Sequence, residues 1–221
     1  MSNSTRLVTD DQADAQPPVV RQQPLPSTAG WASAAVAIHS VRRIPTPVLL
    51  RLDVVGHGSL SIDFRHHAYA WDVPLDHFPE APAAVLVETH PTTEDAPPPF
   101  ALPGRDLDGL LWLIGRHAFI DEPASWLWAD DRYRLTRWPN LAQLPITLDE
   151  VRMTAMLGNA DATPAELAAA GGVTEAAAQR VVNAFSLMGI LRASAVAPAP
   201  VAEPQVQVSG LFARLKARLG L

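Results

Sequence analysis

Three threonines, at positions 147, 163 and 174, punctuate the last third of this 221-residue chain more firmly than anything upstream. Thr147 and Glu150 have the spacing of a capping box, in which hydroxyl and carboxylate exchange hydrogen bonds with the first backbone N–H groups of a helix. Leu148, Val151 and Ala155 then fall on one face as far as Leu157. Thr163 and Glu166 repeat the box with Pro164 in the first helical position, where a missing N–H costs nothing, and Gly171 and Gly172 end that helix. Thr174 opens a third, in which Ala178, Val181, Phe185 and Met188 recur at helical spacing until Gly189 stops it. The punctuation predicts helices of roughly ten, seven and fourteen residues, with Ile190 and Leu191 left as a short β-prone strand.

The phrase ELAAAGGVTEAAAQRVVNAFSLMGIL, Glu166 to Leu191, resembles the winged-helix and helix-turn-helix modules of bacterial regulators. The resemblance covers 147–192 and departs from the pattern after Leu191, where no hairpin of the usual wing length follows. It implies DNA recognition by the third helix, with Gln179, Arg180 and Asn183, beside Glu175, as the exposed candidates for base contacts. Duplex binding draws most of its affinity from cations on phosphates. Residues 146–192 hold three Arg against five acids, a net charge of −2. That footprint favours a small helical core used for protein contacts.

Upstream, residues 28–145 read as an α+β sheet domain. Leu50, Leu52 and Val54 alternate with Arg51 and Asp53, the turn Gly56-His57-Gly58 follows, and Leu60, Ile62 and Phe64 resume the alternation, which together specify a hairpin. Tyr69, Trp71, Val73 and Leu75 alternate again, and 83–89 offers another short apolar run. Prolines at 91, 97, 98, 99 and 103 keep the next stretch out of any central strand. Residues 106–117 place Leu107, Leu110, Leu111 and Ile114 at helical spacing, with acids in the first turn, and this helix is expected to cover the sheet. Trp126 to Trp128 and Tyr133 to Trp138 read as a second hairpin, and Trp31 to Val41 suits either helix or strand.

The ends differ from the middle. Residues 1–27 lack any two- or 3.6-residue repeat and read as disordered, and 193–208, rich in Pro, Ala and Val, reads as an extended spacer. Beyond it, residues 209–221 run SGLFARLKARLGL. On a helical wheel Leu211, Phe212, Leu215 and Leu219 occupy an arc of about 100° flanked by Arg214, Lys216 and Arg218. A lone helix of this length is marginal in water and folds only against something. A groove on another protein is the favoured partner and an anionic membrane surface the second; the stiff spacer argues mildly against the chain's own body.

No chemistry-bearing constellation emerges. The chain has no cysteine, which excludes a disulfide scaffold, a thiolate nucleophile and thiolate metal sites. His66 and His67 are adjacent, so on a strand they face opposite ways, and the other five histidines are scattered without metal-ligand spacing. Gly56-His57-Gly58-Ser59 lacks the glycine spacing of a nucleophile elbow, no phosphate-binding glycine motif occurs, and the acid pairs Asp121/Glu122 and Asp130/Asp131 fall in loops. Trp126, Trp128 and Trp138 fill the core or, alternatively, line a partner pocket. No apolar run reaches the roughly 18 residues of a membrane span. Sixteen Arg to one Lys, with heavy Ala and Pro use, points to a GC-rich bacterial source. The expectation is a non-catalytic cytoplasmic bacterial adaptor without cofactor or metal, reaching the inner-membrane surface only through its tail. The alternatives are a DNA-binding regulator with a sensory α+β domain and a peripheral membrane scaffold.

Overall fold

The computed structural model describes residues 30–128 and 130–194, so the N-terminal segment 1–27, nearly all of the spacer and the tail 209–221 lie outside the described residues. The chain enters at Trp31, whose ring is fully buried and whose indole N–H donates to the Pro79 carbonyl at 2.7 Å. The ambiguous stretch that follows is a helix, α1 (Ala32–Val41), with Ala32, Ala34, Ala35, Ile38 and Val41 buried.

Five antiparallel strands form the sheet in the order β4-β1-β2-β3-β5. The first hairpin forms as its alternation predicts: β1 (Val48–Val54) pairs with β2 (Gly58–Asp63), Leu52 lies opposite Leu60, and Leu50, Leu52, Val54, Leu60 and Ile62 all point into the core. The third strand is shorter than its alternation predicts. β3 spans Ala68–Ala70 only; the chain leaves the sheet after Ala70 and, past Pro74, turns through a short 3-10 segment at Leu75–His77. β4 (Val85–Pro91) then returns to the far side of β1. It is an edge strand, so Pro91 deprives no ladder of a donor. β5 (Arg105–Asp106) closes the opposite edge.

Asp106 caps α2 (Leu107–Ala118) by accepting the Asp108 N–H. This helix is buried almost all round, including Leu107, Leu110, Leu111, Trp112 and Ile114, the signature of an element enclosed between others. It is α1 that lies on β1 and β4, while α2 packs between α1 and the C-terminal helices.

Those helices are α3 (Leu148–Asn159), α4 (Pro164–Gly171) and α5 (Glu175–Leu187). Both capping boxes form: the Glu150 carboxylate accepts the Thr147 N–H at 2.7 Å, and Glu166 accepts that of Thr163 at 2.9 Å. Gly172 ends α4 with φ at +69°, a backbone geometry that favours glycine. The α3 face is rotated from the predicted one. Leu148 is 66% exposed and Val151 and Ala155 are only partly covered, while Glu150, Met153, Thr154 and Leu157 face inward. Glu150 is drawn in because it serves the cap and also pairs with Arg116 of α2 at 2.9 Å.

The predicted second hairpin does not form. β6 (Arg132–Leu135) pairs instead with β7 (Leu191–Ser194), which lies after α5. Ala162 joins the other side of Tyr133 through hydrogen bonds of 2.8 and 2.9 Å. Trp126 to Trp128 form no strand and fold back so that the Tyr133 hydroxyl donates to the Trp128 carbonyl and accepts its N–H. Residues 193 and 194 therefore belong to β7 and not to the spacer. One contiguous core runs from Trp31 to Ile190 across the expected boundary at 145/146. Within it α2 packs closely on α5, where a Cβ added at Gly115 would sit 2.5 Å from the Ala184 Cα. Among the described residues no helix is long and apolar enough to cross a membrane.

Candidate functional site

The proposed base-reading residues of α5 divide sharply. Gln179 and Asn183, expected on the surface, are 6% and 1% exposed. The Asn183 amide nitrogen donates to the carbonyls of Phe119 and Glu122 at 3.1 and 3.0 Å, and its oxygen accepts the Ala124 N–H and the Gln179 side-chain amide, both at 3.0 Å. Three of the four bonds of this amide hold the loop after α2, and the fourth ties it to Gln179 on its own helix. Neither residue reaches outward, and this corrects the sequence reading. Arg180 alone of the three is accessible, and it lines a cleft of about 450 Å³ with Arg116, His117 and Pro145. Arg116 there is already bound to Glu150 and lies over the Trp112 ring.

A second polar cluster joins the β2–β3 turn to the start of α2. His67, with φ at +48°, places Nε2 2.8 Å from Asp108 Oδ1, and Arg137 approaches Asp108 Oδ2 at 3.5 Å. The hydrogen bond that the His67 ring N–H donates to the Asp108 carboxylate raises the His67 pKa, and the same bond lowers that of Asp108. With Asp106, the ligand atoms of these residues lie within 4.8 Å of one another, close enough for a metal ion. The donor set nevertheless fits an ion pair better. Both Asp108 oxygens face partners, one Asp106 oxygen caps α2, and Arg42 and Arg137 add positive charge.

The feature that does face outward is a cleft of about 510 Å³ between the β3–β4 connection and the loop after α2. Pro82, Ala118 and Phe119 give it an apolar floor, Ile120 at 47% exposure forms a lip, and Glu80, Asp121 and Glu122 stand exposed around it. Its lining includes no Lys or Arg. His117 separates it from the smaller cleft, with Nδ1 4.0 Å from Glu80; burial holds this imidazole below its ordinary pKa, so it is neutral near pH 7 and leaves the acidic rim uncompensated.

The rest of the predicted site, Leu211, Phe212, Arg214, Leu215, Lys216, Arg218 and Leu219, lies outside the described residues. Sequence reasoning placed Asp121 and Glu122 in a solvated loop and missed the cleft, because Glu80 and Pro82 come from a connection about forty residues earlier. Ile120, an apolar residue directly before two acids, was the available signal. Comparison with protein-family models, curated proteins and solved structures found no match to this chain.

Proposed function

We propose that this protein is a non-catalytic adaptor acting through protein–protein contacts, with the acid-rimmed cleft at Ile120 as its docking site and the basic tail as a second docking element. The observation that carries the reading is the cleft itself: apolar floor, three carboxylates, no cation in its lining. Such a site takes a short apolar segment flanked by Lys or Arg, since charge complementarity at a rim sets partner choice while the buried apolar contacts supply affinity. Support also comes from α3, where Leu148 is exposed, Val151 and Ala155 are partly so, and the Trp138 ring, itself 54% exposed, lies on Gly158.

The helix-turn-helix resemblance of 147–192 is supported by three capped helices followed by a strand, with the missing wing partner supplied from upstream by β6. The alternative of a DNA-binding regulator draws on Arg132, Arg134 and Arg192, which share one face of the β6–β7 ribbon. Asp161 and Glu166 lie beside these arginines and offset most of that charge. Two measurements on the full chain test the reading. A synthetic basic amphipathic peptide is expected to bind with salt-sensitive affinity that is lost when Glu80, Asp121 and Glu122 become Lys. Selection from random duplex DNA is expected to yield only non-specific affinity, about 10⁻⁴ to 10⁻⁶ M; a nanomolar operator, or a peptide indifferent to the three acids, refutes the adaptor.

A further inference from the structure

The chain itself carries a segment with the chemistry that this cleft requires. We infer that the acid-rimmed cleft is the resting site of the protein's own residues 209–221, so that the tail masks the docking surface until a partner displaces it. The inference rests on the adaptor reading of the cleft and names its first occupant.

Complementarity is the starting point. Glu80, Asp121 and Glu122 stand exposed around a floor of Pro82, Ala118 and Phe119. Residues 209–221 hold three cations and no acid, and Arg214, Lys216 and Arg218 flank the apolar Leu211, Phe212, Leu215 and Leu219. At about 510 Å³ the cleft lies within the roughly 300 to 1,000 Å³ of sites that enclose small ligands. It is sized for a few side chains and not for a whole helix, and Phe212 with Leu215, three residues apart, offers two on one face.

Reach and concentration follow from the connection. β7 ends at Ser194, and residues 195–208 span about 43 Å when drawn out at about 3.1 Å per residue. A folded body of this length has a radius of gyration of about 15 Å and is about 40 Å across, so the spacer carries the start of the tail about two thirds of a half turn around it, and docking in cis requires the cleft to lie within that reach. Where the span of the spacer matches the distance to the cleft, tethering gives an effective concentration on the order of 1 mM, which keeps a segment with a dissociation constant of about 0.1 mM docked about 90% of the time. Weak contacts at the rim are therefore enough in cis, and a partner with a stronger segment can still displace them. The other candidate in cis is the N-terminal segment, which joins the body at Gly30 on the same cleft. It carries two Arg against three Asp and matches an acidic rim poorly.

The absence of cysteine makes the test clean. A nitroxide attached at Ala213→Cys in the full chain is expected to broaden the backbone amides of 118–122, without dilution dependence and without effect on an isotope-labelled chain mixed with spin-labelled, isotope-free copies. Glu80→Lys, Asp121→Lys and Glu122→Lys together are expected to abolish the broadening, and adding Arg214→Glu, Lys216→Glu and Arg218→Glu to that chain to restore it. Broadening elsewhere, none at all, or broadening only between chains overturns the inference. A free peptide of residues 209–221, titrated into the full chain carrying only the three tail reversals, separates the two readings. If the peptide binds at 118–122 although the unreversed tail of the full chain gave no broadening there, the adaptor survives and the masking fails; if the peptide does not bind, both fail.

Discussion

Truncating Asn183 to alanine tests whether α5 is a recognition helix or a structural pillar. The side chain is 1% exposed and makes four hydrogen bonds. The losses are unequal. Ala124 and Phe119 are 0% and 3% exposed, so their N–H and C=O have no water to turn to, whereas Glu122 is exposed and the Gln179 amide can rotate. A buried polar group left without a partner costs about 1 to 3 kcal/mol. Two such groups predict a loss of about 2 to 6 kcal/mol, a large share of the roughly 5 to 15 kcal/mol that holds a domain together. Urea unfolding reads this as a lower midpoint at unchanged slope, and amide exchange at Ala124 is expected to accelerate in step. Arg180→Ala, on the same helix but with no hydrogen bond or ion pair among the described residues, is the control and is expected to stay within about 0.5 kcal/mol. If Asn183→Ala is equally silent, the amide is not holding the loop after α2, and its assignment as structural is wrong.

Gly115→Ala is expected to destabilise by at least about 1 to 3 kcal/mol in the same assay, because its methyl would meet the Ala184 Cα at 2.5 Å and the α2–α5 seam has to open. His39 stacks on Trp126 at 4.1 Å, and burial, aided by Arg43 and Arg42, lowers its pKa from 6.5 to about 4. The unfolded chain therefore takes up a proton that the native state refuses, and stability falls as pH drops from about 6.5 to 4. The full shift corresponds to about 3 kcal/mol, reduced to about 1 to 2 because the ring is half-exposed, and His39→Gln is expected to flatten this limb. His67 behaves oppositely: its pKa is raised by Asp108, so its contribution is complete below the unfolded value and is lost as pH climbs through the folded one. Melting temperatures of His67→Ala compared with the parent across neutral pH are expected to converge on the alkaline side.

What the sequence disclosed is what is decided within a few residues. A capping box closes over three positions, so Thr147 with Glu150 and Thr163 with Glu166 were legible and form as expected. The β1–β2 hairpin was legible for the same reason, its register being fixed by a short turn and a two-residue period. Pairings across distance were not. Tyr133 meets Ala193, and Asn183 meets three main-chain groups about sixty residues upstream, partners that leave no trace in local periodicity. The α3 face was misjudged because hydrophobicity ranks Leu148 above Glu150, while in the fold Glu150 has two cationic or N–H partners waiting inside and Leu148 has none.

That inversion bears on function. A helix that reads a major groove must leave one polar face free, with cations beside it to meet phosphates. α5 is packed against α2 and α4, its two amides are consumed internally, and its one accessible cation lies beside a cleft whose other arginine is already paired with Glu150. The surface that the three-helix unit presents includes the exposed Leu148, the partly exposed Val151 and Ala155 of α3, and the exposed Trp138 ring that rests on Gly158. Apolar side chains with an indole contribute little against a phosphate backbone and much against another protein, where aromatic anchors dominate the contact energy. The residues that broke the sequence pattern, polar ones inside α5 and apolar ones outside α3, thus both weigh toward a partner made of protein.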